Sequence, residues 1–188
     1  MIKKILLFLT VAIAALAAGC SQSREWTREQ RREMKENLRQ YRNMVYLENM
    51  NDSEFGLFTD DVAASLEGMY PVYATFIAIP NVNDTITAVV VTTIVSDINA
   101  DARNMRYLFP YENLVADSIL PAGMSHKQLR AYYKCVADQI NANYNSLASF
   151  LNAYESNRID TTVMGQSLRY CAGSDVLITV EETEIITD

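Results

Sequence analysis

From residue 125 onward, Leu129, Tyr133, Val136, Ile140, Tyr144, Leu147, Leu151 and Tyr154 recur at three- and four-residue intervals over about thirty positions. Ser125-His126-Lys127-Gln128 stands directly before them. That is a capping-box pattern, in which the Ser and Gln side chains each satisfy the other's backbone N–H. An apolar stripe of this length needs further helices to cover it, so this one segment directs the chain towards an α-helical bundle.

Other segments supply the covering helices. Thr27 and Gln30 form a second capping-box pattern, and Met34, Leu38, Tyr41 and Val45 continue at helical spacing, which predicts a helix over residues 27–50. Asn51-Asp52-Ser53 breaks it. Thr59, followed by Asp60 and Asp61, has the form of an N-cap with acids in the first turn; the helix it opens runs towards Ile79, kinked or split at Pro71. Residues 80–84 connect it to the next segment. The tract 85–98 is β-branched almost throughout and could pair with 72–79 as a hairpin. Ile86, Val90, Ile94, Ile98, Ala102 and Met105 nonetheless keep a four-then-three spacing over a length unusual for a strand, so helix is the preferred reading. Phe109-Pro110-Tyr111 ends it, a short helical turn covers 112–119, and 120–123 form a loop. The last segment, 160–188, is open between a helix carrying Cys171 with an acidic tail and a small hairpin over 174–187.

At the start of the chain, Lys3 and Lys4 precede a run of about twelve apolar residues, the length of a secretory signal and too short to cross a bilayer. Leu16-Ala17-Ala18-Gly19-Cys20 follows at once. This resembles the lipobox of bacterial lipoproteins. The resemblance implies removal of residues 1–19 and attachment of a diacylglycerol, with palmitate-type acyl chains, to the Cys20 sulfur. Two acyl chains are enough for stable anchoring. Ser21, rather than Asp, stands after that Cys; by resemblance to lipoprotein sorting in enteric bacteria this favours the outer membrane, facing the periplasm. Only six steps separate Cys20 from Trp26, at most about 20 Å of extended chain. Residues 20–26 would be a short tether, and 27–188 one helical domain held close to its membrane.

Without residues 1–19 the chain has 169 residues, 14 basic and 23 acidic, a net charge of −9. That balance argues against nucleic acid as a partner, since phosphate contacts need a basic footprint. The charge is uneven. Residues 24–42 hold seven Arg or Lys against four Glu, while 43–188 hold seven against nineteen acids. Arg24, Arg28 and Arg32 form one helical column, and Glu25, Glu29 and Glu33 the next. A basic stripe on anionic headgroups is one reading; a solvated face diluted by the interleaved glutamates is the preferred one.

With Cys20 lipidated, Cys135 and Cys171 remain, and an exported protein meets an oxidising compartment, so the pair reads as one disulfide. Catalytic constellations are missing. The chain lacks the common nucleophile, zinc-protease, P-loop and dinucleotide motifs and has one histidine, His126, placed in the first turn of a helix. No metal site or cofactor is expected. Asp60/Asp61 and Glu181/Glu182 are adjacent carboxylates, which on a helix point about 100° apart and so do not face one substrate. Among the eleven tyrosines, Tyr132-Tyr133, Tyr70 with Tyr73, and Tyr107 with Tyr111 are clustered in the manner of protein interfaces. Asp84-Thr85-Ile86, Asp117-Ser118-Ile119 and Asp160-Thr161-Thr162 resemble an O-glycosylation acceptor of some bacterial envelope proteins, although helix capping is the simpler account.

The expectation is a mostly α chain: an irregular bundle of four to five helices, with a small hairpin at 72–98 or 174–187 as the alternative. Functionally it points to a lipid-anchored, non-catalytic binding module for an envelope protein or cell-wall component, with Tyr132 and Tyr133 as candidate contact residues. A hydrolase using carboxylates gathered by the fold, or a carrier of small apolar ligands, are the alternatives.

Overall fold

Three capping boxes decide where the longer helices begin. The computed structural model describes residues 25–173. Cys20, Glu181/Glu182 and the hairpin alternative at 174–187 lie outside the described residues.

Thr27 accepts from the Gln30 N–H, and Gln30 returns the bond to the Thr27 N–H, opening α1 (Arg28–Leu38). A 3-10 segment (Arg39–Asn43) and the single turn α2 (Val45–Glu48) follow, so the helix expected over 27–50 is three pieces. Arg42 holds the corner. Its guanidinium donates back to the carbonyls of Leu47 (3.2 Å) and Met50 (2.6 Å) and lies 4.7 Å over the Phe55 ring.

The second box, Asn51 with Glu54, opens α3 (Asp52–Met69). This start is about two turns earlier than Thr59 suggested; Thr59 lies inside the helix, buried, with its hydroxyl donating to the Gly56 carbonyl at 2.9 Å. Asn is as good an N-cap as Thr, and here the reciprocal Glu makes it the better one. Pro71 does end this helix, and a short α4 (Tyr73–Ile77) follows, burying Tyr73 and Phe76.

The β-branched tract forms α5 (Val82–Ala100), so the hairpin alternative at 72–98 is wrong on both of its arms. Ile86, Val90, Ile94 and Ile98 are buried at the expected spacing, with Val89 beside them. Thr87, Thr92 and Thr93 donate their hydroxyls to carbonyls four residues back, which removes their competition with the helical backbone. Asp101 then caps a second 3-10 segment (Ala102–Tyr107), and α6 (Tyr111–Ala116) supplies the expected short turn.

The third box, Ser125 with Gln128, opens α7 (His126–Tyr144). The predicted thirty-residue helix stops at Asn145, whose φ of 63° is left-handed, and restarts as α8 (Leu147–Glu155) from the Ser146 cap. Asparagine is among the few residues that adopt this conformation readily, and the apolar spacing carries on across the break, which conceals it from a periodicity argument. Finally Asp160 accepts from the Thr162 and Val163 N–H groups and opens α9 (Thr161–Ala172). Cys171 lies on this helix, as the helical reading of its segment expected, and is bonded to Cys135 of α7.

The packing runs α1 on α3, α3 on α5, and α5 on α8 and the second 3-10 segment; α7 packs on that 3-10 segment, α8 and α9. The expected helical bundle is therefore present in more, shorter pieces than four or five, with nine α-helices and two 3-10 segments among the described residues. No helix among them is long and apolar enough to cross a membrane.

Candidate functional site

Tyr132 and Tyr133 do not form a contact surface. They are 0% and 2% exposed, because α7 is covered along more than one face and both positions fall within its buried stripe. The two rings meet edge to face at 5.3 Å. Their hydroxyls differ: Tyr133 donates to the Phe109 carbonyl at 2.8 Å, while the Tyr132 hydroxyl has no hydrogen-bond partner among the described residues. Burial pushes both phenols well above their ordinary pKa. Tyr132→Phe should therefore be neutral or gain up to about 1 kcal/mol, whereas Tyr133→Phe orphans a carbonyl and should cost about 1 kcal/mol. Urea unfolding of the two variants checks this; equal losses would contradict it.

The other tyrosine clusters are structural as well. Tyr73 packs edge-on to Trp26 at 4.9 Å, and Tyr70 stacks on Phe76. The Tyr111 hydroxyl donates to the Pro121 carbonyl and accepts from the Met124 N–H, closing the 120–124 loop. His126 is exposed. Asp160 of the third acceptor-like tripeptide is occupied as an N-cap. Among the described residues, no three His, Cys, Asp or Glu side chains converge as metal ligands.

What the surface offers instead is two grooves, one on each side of α3, and Asp60 and Asp61 point into different ones. Their 100° divergence on the helix is what separates them.

The first groove lies between α3 and α5 and encloses about 750 Å³. Asp61, Ala64, Ser65 and Gly68 line it from α3, and Val89, Thr92, Thr93, Ser96 and Asp97 from α5. Its floor is made of small side chains because large ones between the two helices would hold them apart. A Cβ added at Gly68 meets nothing within 4 Å, so this position opens into free space. Met69, 53% exposed, also borders the groove, and Leu57, 65% exposed, lies one turn before Asp61 on the same helix. The Asp97 carboxyl is held above its usual range, first by burial and then by the charge of Asp61. Periodicity gave no sign of this site: small residues scattered at helical spacing carry no hydrophobic signal.

The second groove lies between α1 and α3 and encloses about 910 Å³. Here the interleaved charges of the sequence come apart. Arg28, Arg31, Arg32, Lys35, Arg39 and Arg42 line this groove together with Glu36, Asp52 and Asp60, while Glu29 and Glu33 sit further round the helix, beside Arg32. At about 100° per residue Arg28, Arg31, Arg32 and Lys35 fall in one sector of α1 and Glu29 and Glu33 in the next. The 28, 31/32, 35, 39, 42 spacing carried that information, and a view restricted to the first three arginines missed it. Some of these cations are braced. Arg31 makes a two-pronged bond to Glu67 at 2.7 Å per oxygen, and Lys35 pairs with Asp60 at 2.7 Å. The Arg31 guanidinium, helped by the Trp26 N–H, holds the Glu67 carboxyl below its usual range. Arg32 and Arg39 pair only along their own turn, with Glu29 and Glu36, and stay largely exposed, as does Arg28.

Trp26 fixes α1 to this frame. Its indole is buried, its Nε1–H donates to the Tyr70 carbonyl at 2.8 Å, and its backbone N–H donates to Glu67 at 3.0 Å. The chain matches no protein-family model, no curated protein and no solved structure.

Proposed function

We propose that this chain is a bacterial envelope lipoprotein, attached through Cys20 and residing at the outer membrane on its periplasmic side, whose folded part is a non-catalytic binding module for another envelope protein or a cell-wall component. The contact surface in this reading is the α3–α5 groove, in place of Tyr132 and Tyr133. One observation carries it: an open groove floored by small side chains, with the exposed apolar Met69 at its border and the exposed Leu57 one turn before Asp61 on the same helix. Exposed large apolar side chains next to a concavity are the features that interfaces use as anchors.

A second reading draws on Asp97. A half-buried carboxyl with a raised pKa, sharing a groove with a second carboxylate, is the arrangement that would suit the hydrolase alternative.

Crosslinking of the lipidated protein in its own membranes, followed by mass spectrometry, tests both. Gly68→Arg fills the groove from an open position and should abolish capture of the partner. Capture that survives Gly68→Arg moves the contact surface elsewhere. Accumulation of an uncleaved glycan or peptide on the Asp97→Asn protein alone would replace the binding module with the enzyme.

A further inference from the structure

We infer that the basic face of α1 and the 3-10 segment after it lies against the anionic headgroups of the membrane that carries the anchor. The inference rests on the reading of Cys20 as a lipid attachment site and adds to it an orientation.

Three observations meet. Residues 24–42 carry net +3, while 43–188 carry net −12, so the chain is strongly polar end to end and its positive part is the part next to Cys20. An anionic surface repels most of this protein and attracts only that end. Next, the fold converts the positive stretch into a face. Arg28, Arg32 and Arg39 project outward, while Arg31 and Lys35 are tied to Glu67 and Asp60 of α3 and Arg42 to backbone carbonyls. The acids of α3 are thus spent on the inner cations, Arg32 and Arg39 pair along their own turn with Glu29 and Glu36, and the groove face still holds six cations against three acids. Lastly, reach is limited at both ends. Surface potentials fade within about 8 Å at physiological salt, so a basic face acts only when it is held close. Trp26, locked to α3, starts the rigid fold no more than about 20 Å of chain from Cys20. The eleven positions from Arg28 to Arg39 span about 16 Å of helix, so when α1 lies flat all three outer arginines reach the headgroup layer together.

The test uses the full lipidated protein, reconstituted into vesicles of phosphatidylcholine alone or of phosphatidylcholine with phosphatidylglycerol. Arginine side chains are modified with a dicarbonyl reagent and quantified by mass spectrometry. Arg28, Arg32 and Arg39 should react about fivefold more slowly on the anionic vesicles than on the neutral ones, and added salt should remove the difference. Arg130 and Arg158, exposed on other parts of the molecule, should react equally on both and serve as internal controls. The triple variant Arg28→Glu/Arg32→Glu/Arg39→Glu leaves the braced cations in place, and it should still float with both vesicle types. Equal reactivity of the three arginines on both vesicles, with the protein floating normally, overturns the orientation and leaves the anchor standing. Failure to float with neutral vesicles overturns the anchor, and the orientation with it.

Discussion

The double variant Cys135→Ala/Cys171→Ala should unfold with about 4 kcal/mol less free energy than the native chain, the entropic value for a crosslink spanning a sequence separation of 36. For a domain of this size that corresponds to a melting temperature lower by roughly 10 °C. The loss should be concentrated at the C-terminal end of the described fold. α9 is held by Met164, Leu168 and the Asn143–Ser167 hydrogen bond besides the disulfide, and it packs on α7. Amide exchange should therefore rise first in α9 and leave α3 and α5 near their native rates. A double variant within about 1 kcal/mol of the native protein would show that the apolar contacts alone secure this helix.

Trp26→Ala should cost a comparable amount, about 3–5 kcal/mol. It removes the largest side chain at the α1–α3–α4 junction, together with the ring contacts to Tyr73 and Phe76, and leaves the Tyr70 carbonyl without its donor. Trp26→Phe separates the two contributions. It keeps most of the packing and loses the hydrogen bond, so about 1–2 kcal/mol should go. Chemical denaturation measures both, and a Trp26→Phe loss equal to that of Trp26→Ala would mean the bond, not the packing, is what matters. The alanine variant should also free the start of α1, seen as faster amide exchange over 28–32 than over α7.

How far the fold could be read in advance depended on whether a feature was local. Thr27, Ser125 and Asp160 are caps recognisable from a few residues, and all three open helices in the structure. The β-branched tract came out as helix because its four-then-three spacing outlasted any strand. The breaks were harder. Asn145 interrupts a helix without disturbing its apolar period, and the corner at Arg42 depends on carbonyls several residues further along the chain. Neither leaves a mark on hydrophobic spacing. The misreading of Tyr132 and Tyr133 has a related origin: a tyrosine pair looks the same in sequence whether its helix is covered on one face or several. Burial of that pair follows from the packing of α7 against three other elements, which is tertiary information. The α3–α5 groove was invisible for the opposite reason, since it is defined by side chains that are small.

The attachment of Trp26 also sets how the molecule responds to being pulled. Tension in the preceding segment enters the fold at residue 26, where the backbone N–H, the indole and the neighbouring Arg31–Glu67 pair all grip α3 rather than α1. The load is thereby passed sideways into an eighteen-residue helix that packs on both α1 and α5. To be peeled from its end, α1 would first have to lose a wedged aromatic ring, two hydrogen bonds and a two-pronged ion pair at once. The domain is built so that drag on it is borne in shear, between α1 and α3, and not by unzipping from its first turn.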